Sequence, residues 1–185
     1  MRGGHVIDVV YGRGRKERLA KLADLYPEII TAKNFDEHVS KLQDLDVIFS
    51  TWGMVRLTAE QIGRLPNLKA VFYAAGATEL FRKPFEEKGI TICSATAIQA
   101  VSVAEFTLGQ ILLAGKGYFR NSRECKDAYS TAVPNNYRGH GNFENRVAII
   151  GAGSISKKIQ DFLSHHDLEV IVVPSRKEKR TVSLE

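Results

Sequence analysis

At 185 residues the chain is long enough for one ordinary domain or two small ones, and 44% hydrophobic with 25% charged residues is a globular composition. It has no unbroken run of about 18 apolar residues, so no transmembrane helix is expected. Its opening, MRGGHVIDVVYGRGRK, lacks the apolar core and small-residue cleavage site of a signal peptide, so none is expected. Cys93 and Cys125 are the only cysteines and neither has metal-ligand neighbours in sequence, which excludes a disulfide framework and suits a reducing cytoplasm. The formal charge is +5 and the pI about 9.2. The excess sits in two short clusters, Arg13, Arg15, Lys16 and Arg18, then Arg176, Lys177, Lys179 and Arg180. Without interleaved aromatics these argue against nucleic acid, and for solvated surface biased toward small anions.

Apolar runs and helical stripes alternate through the first ninety-odd residues. His5–Tyr11 reads as a strand ending in a glycine turn, and Arg15–Tyr26 as a helix with Leu19, Leu22, Ala23 and Tyr26 on one face. Glu28–Thr31 reads as a second strand. Phe35, Val39 and Leu42 form the inner face of the next helix, and Val47–Ser50 a third strand. Thr58 with Gln61 three residues later is a capping box, and Leu57 with Ile62 a hydrophobic staple. Ala70–Ala74 and Ile90–Cys93 complete the strand runs. This alternation predicts a parallel sheet covered by helices, so that residues 1–95 make a flavodoxin-like doubly wound α/β domain.

Two glycine loops lie in this part. Gly12-Arg13-Gly14 opens like a dinucleotide fingerprint, but Glu17 stands where a small residue is needed for close helix–strand packing, so a plain tight turn is expected. Ala74-Ala75-Gly76-Ala77-Thr78 follows a strand. Its small residues would let a carboxylate approach backbone N–H groups, or would simply pack a crowded turn; the residues alone leave both readings open.

From Ile98, Val101, Ala104, Leu108, Ile111 and Leu112 recur at helical spacing as a long helix, with a hinge near Ser94–Ile98. Asn121–Asn145 is polar and reads as an exposed arm. The strand Arg146–Ile150 then enters Gly151-Ala152-Gly153-Ser154-Ile155-Ser156, followed by a helix with Ile155, Ile159, Phe162 and Leu163 on one face and by the strand Glu169–Val173. Strand, glycine turn, helix and strand within about 30 residues is the context a dinucleotide site requires. Gly151 permits the tight turn, Gly153 lets a pyrophosphate approach, and the amides of Ser154 and Ile155 point at it from a helix N-terminus. Ser156 replaces the third glycine.

The acid that would bind the ribose hydroxyls about 20 residues on is missing, because Asp167 and Glu169 precede the strand. The strand ends at Val173-Pro174, followed by Ser175 and Arg176, a hydroxyl and an arginine suited to a 2′-phosphate. NADP is therefore expected over NAD, the alternative being a solvated turn at Arg176–Arg180.

In this order a small α/β domain, Val103-Ala104-Glu105-Phe106-Thr107-Leu108 on a long helix, and Gly151-Ala152-Gly153-Ser154-Ile155 resemble the D-isomer-specific 2-hydroxyacid dehydrogenases. Lys88-Gly89-Ile90-Thr91-Ile92 resembles that family's strand into the hinge. The resemblance implies an oxidoreductase that transfers a hydride between NAD or NADP and a small 2-keto or 2-hydroxy acid, and that is cytoplasmic and homodimeric. Ala75, Gly76 and Ala77 would hold the substrate carboxylate in a cleft between domains. Gly151, Gly153, Ser154, Ile155, Ser175 and Arg176 would bind the cofactor. Residues 1–95 would be the substrate domain. Residues 96–185 would be a partial Rossmann domain, the first βαβ unit with its linking helix.

Family members are much longer, and their substrate Arg and acid–base His with its carboxylate partner come late. No catalytic residue is therefore assigned here, and the 185-residue chain alone is expected to be truncated and inactive. Of the histidines present, His5, His38, His140, His165 and His166, none has an evident carboxylate partner in sequence. The rival reading is a non-catalytic dinucleotide-sensing or protein-binding relative.

Overall fold

The computed structural model describes residues 3–127, 129 and 138–174. The chain divides into two units, Met1–Thr96 and Ala97–Glu185, and both are α/β with parallel sheets.

The first unit begins with helix α1 (Gly3–Tyr11), where the sequence reading places a strand. A parallel strand buried on both faces has no place for the Asp8 carboxylate, whereas the helix leaves Asp8 exposed and Ile7, Val10 and Tyr11 half-buried. A Cβ on Gly12 would sit 2.3 Å from the Asp8 carbonyl oxygen, so the chain can leave α1 at this angle only on glycine. The turn passes through Arg13 and Gly14, both at positive φ, into α2 (Arg15–Leu19). The helix predicted to Tyr26 therefore stops early, and Leu22 is 86% exposed.

Glu28–Thr31 is not a strand either. Asn34 accepts from the Thr31 amide at 2.7 Å and donates to the Ile29 carbonyl at 3.1 Å, taking the backbone groups a ladder would use.

From here the predicted elements appear. Helix α3 (Phe35–His38) runs into a 3-10 turn, Val39–Lys41, and strand β1 (Val47–Ser50) follows. Helix α4 (Ala59–Gly63) carries both arms of the Thr58–Gln61 capping box, and its staple residues Leu57 and Ile62 are buried. Strand β2 (Ala70–Tyr73), helix α5 (Arg82–Glu86) and strand β3 (Thr91–Ser94) complete the unit. The strands pair in parallel in the order β1-β2-β3, with Ser50, Tyr73 and Ser94 level at the carboxyl edge. The core gathers Phe35, Val39, Leu42, Ile62, Val71 and Phe85 between this sheet and its helices.

The long helix is α6 (Thr96–Gly115). It is long and apolar enough to cross a membrane by length and composition, although Gln99, Glu105 and Gln110 interrupt the apolar run. In the second unit it buries Ala104 fully and packs Leu108 and Ile111 on the sheet. Its end is capped from a distance: the Gly141 amide donates to Gly115 O at 2.7 Å, and Asn142 Nδ2 donates to Leu112 O at 3.0 Å. The segment read as a polar arm thus forms helix α7 (Tyr118–Glu124) and, at Gly139–Asn142, packs on the end of α6.

Strand β4 (Asn145–Ile150), helix α8 (Ser154–Leu163) and strand β5 (Leu168–Val173) make a parallel βαβ unit. One face of its sheet, with Val147, Ile149 and Val170, packs against Ile159, Leu163 and α6. The other carries the Arg146–Glu169 ion pair and exposes Ile150, Ile171 and Val173.

Candidate functional site

Gly151 leaves β4 at φ 101°, a value that requires glycine, and its amide donates to Val173 O at 2.7 Å, which holds the turn against the end of β5. Gly153 is the N-cap of α8 and has no side chain with which to cap it. The first intrahelical bond runs from the Lys157 amide to Gly153 O, so the amides of Ser154, Ile155 and Ser156 have no acceptor among the described residues. A Cβ built on Gly151 or Gly153 would meet nothing within 4 Å, so the space beside both glycines is open. Three N–H donors and the positive end of a ten-residue helix lie beside it, an arrangement that favours an anion.

Ser156, at the third fingerprint position, is buried, and its Oγ accepts from Gln160 Nε2 at 3.1 Å. The buried stripe of α8 therefore runs Ser156, Ile159, Leu163 rather than through Ile155, which is 41% exposed. Ser175 and Arg176 lie outside the described residues.

Ala75, Gly76 and Ala77 form the loop at the carboxyl end of β2. The Ala74 amide is spent on Ser50 O at 2.8 Å, whereas the amides of Ala75, Gly76 and Ala77 have no acceptor among the described residues. The carbonyls behind them are tied down: the Ala95 amide donates to Ala75 O at 2.9 Å, and Thr96 Oγ1 donates to Gly76 O at 3.0 Å. The loop is held by its carbonyls; Ala75 is buried, Gly76 half-buried and Ala77 exposed. The sequence reading missed Thr96 as an anchor, since nothing in the local pattern joins it to a loop twenty residues away.

His38, judged to lack a carboxylate, has one: Glu28 Oε2 lies 3.3 Å from Nε2, and Tyr26 Oη lies 2.7 Å from Nδ1. The ring is buried beside the core of the first unit.

No family model and no curated protein matches the sequence. Solved structures do. The NAD-dependent formate dehydrogenase of Staphylococcus aureus, solved with NAD, is 25% identical with a TM-score of 0.55 over 91% of this chain and 51% of its own. An acyclic imino acid reductase, Bsp5, solved with NADPH and D-Arg, is 15% identical with a TM-score of 0.65 over 90% and 53%. The D-lactate dehydrogenase of Aquifex aeolicus, solved with NAD and lactic acid, is 19% identical with a TM-score of 0.60 over 90% and 50%. The fold is that of the D-isomer-specific 2-hydroxyacid dehydrogenases, over about half of their length. The chain spans about half the length of these dehydrogenase structures.

Proposed function

We propose that this chain is the substrate-side and nucleotide-entry portion of an NAD(P)-dependent oxidoreductase acting on 2-keto or 2-hydroxy acids. The observation that carries the reading is the glycine turn at Gly151. Glycine stands at positive φ between two parallel strands, and the amides of Ser154, Ile155 and Ser156, without an acceptor among the described residues, open a helix beside the clear space at Gly151 and Gly153. That geometry fits a pyrophosphate, and the fold is the one in which the compared proteins bind NAD or NADPH.

The nicotinamide of the bound dinucleotide supplies or accepts the hydride. The chain's own residues then have separable tasks. Ser154 and Ile155 fix the diphosphate by their N–H groups. Residues 1–95 form the substrate side, where Ala75, Gly76 and Ala77 hold the carboxylate by theirs and so orient C2. Residues 96–185 form the nucleotide side. No described residue is assigned the acid–base step, and the 185-residue chain by itself is proposed to bind without turnover, as a cytoplasmic protein that pairs as a homodimer.

NADP is proposed over NAD, because Val173 stands where an acid would bind the ribose hydroxyls and Ser175 and Arg176 follow it. Fluorescence titration with NADPH and NADH tests both parts. Saturable NADPH binding, weaker NADH binding and loss of both in Gly151→Val are expected. Equal affinities would remove the NADP preference alone, and absence of binding to either would remove the nucleotide site.

A further inference from the structure

A groove of about 750 Å³ lies in the first unit beside Ala74, the residue that leads into the Ala75-Gly76-Ala77 loop. Its floor is fixed to the carboxyl edge of the sheet. The Tyr11 hydroxyl donates to Ser50 O at 3.0 Å, and the same carbonyl accepts from the Ala74 amide at 2.8 Å. Ligands of open parallel α/β sheets gather outside this edge.

The wall is cationic. Arg15, Arg18 and Lys21 recur every three residues and all line the groove. The chain keeps coiling past α2, with Lys21 N donating to Arg18 O and Leu22 N to Leu19 O, so that this spacing keeps the cations together. Arg15 is committed to structure, its Nη1 donating to Val10 O and Gly12 O, each at 3.2 Å. Arg18 and Lys21 have no ion-pair partner among the described residues, and no Asp or Glu lines the groove. Leu19 and Leu22 lie beside them, and Leu22 is left 86% exposed although apolar.

We propose that this groove selects 2-keto or 2-hydroxy acids carrying a second anionic group. The carboxylate next to C2 sits on the Ala75-Gly76-Ala77 amides, the carbon stem lies on Leu19 and Leu22, and the distal anion is held by Arg18 and Lys21. The inference rests on the oxidoreductase reading above and adds the substrate class. The distal group is a carboxylate or a phosphate. Both are recognised by the same two cations, Arg18 able to grip either bidentately.

The test is calorimetric titration of the 185-residue chain at low salt with pyruvate, 2-oxoglutarate and 3-phosphoglycerate, beside an NADPH titration of the same sample. At least one of the two doubly charged acids is expected to bind about tenfold more tightly than pyruvate, an advantage that fades as salt is raised. The tighter of the two identifies the distal group. The double variant Arg18→Gln/Lys21→Gln, at exposed positions that make no structural hydrogen bond by their side chains, is expected to erase this advantage and leave pyruvate unchanged. Equal binding of all three acids, an advantage that survives the double variant, or binding of none while NADPH binds, each overturns the groove proposal. Failure of NADPH as well overturns the oxidoreductase reading itself.

Discussion

Tyr26 Oη lies 2.7 Å from His38 Nδ1, and Glu28 Oε2 lies 3.3 Å from the other ring nitrogen. The Tyr26 hydrogen bond and the Glu28 ion contact tie the irregular segment between Tyr26 and Thr31 to α3. Glu28 is mostly exposed and Tyr26 is packed on the core, so their contributions differ. Tyr26→Phe leaves a buried ring nitrogen unpaired and is expected to cost about 1–3 kcal/mol. Glu28→Gln is expected to cost under about 1 kcal/mol. Urea denaturation of the two variants checks the order, and the reverse order would remove the assignment of His38 to this structural role.

The capping box of α4 gives a second test. Thr58 Oγ1 accepts from the Gln61 amide at 3.1 Å, and Gln61 Oε1 accepts from the Thr58 amide at 3.0 Å. Thr58→Ala is expected to cost about 1 kcal/mol and Thr58→Ser or Thr58→Asp almost nothing, since either replacement still caps. Denaturation midpoints that fall equally for all three would assign the effect to something other than capping.

Alkaline stability reports on α1. Burial raises the phenol pKa of Tyr11 above 10.0, and burial does the same to Tyr73. A raised folded-state pKa contributes stability that is complete below the unfolded value and is lost as pH climbs through the folded one. The first unit is therefore expected to weaken above about pH 10, where the Tyr11 proton that binds Ser50 O is lost. Tyr11→Phe should start less stable near neutral pH by about 0.5–1.5 kcal/mol and decline less between pH 9 and pH 11. Parallel decline of the two proteins would contradict a Tyr11 contribution.

The uncovered face of the β4–β5 sheet predicts behaviour in concentrated solution. Ile150 is 85% exposed, with Ile171 and Val173 on the same face. Ile150→Lys is expected to change unfolding free energy by less than about 0.5 kcal/mol while lowering concentration-dependent scattering. A large loss of stability would mean that Ile150 is packed in solution.

The residues that form the second half of the fold were plain in the sequence. Val147, Ile149, Val170 and Val172 alternate into one packed face, and the glycines at 151 and 153 sit between strand and helix as local chemistry requires. The Thr58–Gln61 box was legible for the same reason: cap and partner are three residues apart. The first thirty residues were not. His5–Tyr11 has the β-branched composition of a strand, and only its Asp8 argues for the helix that forms. Glu28–Thr31 has the composition of a strand too, but Asn34 satisfies its backbone locally. The Tyr26–His38–Glu28 contacts and the Thr96 anchor on Gly76 depend on chain reversals that no periodicity encodes.

The central claim is that the Gly151 turn, and not the earlier Gly12 turn, receives a dinucleotide. Amide chemical-shift mapping of the nitrogen-15-labelled chain with NADPH tests it most directly. The account predicts saturable shifts centred on Gly151, Gly153, Ser154 and Ile155. Shifts centred on Gly12–Arg18, or none at saturating NADPH, would contradict it.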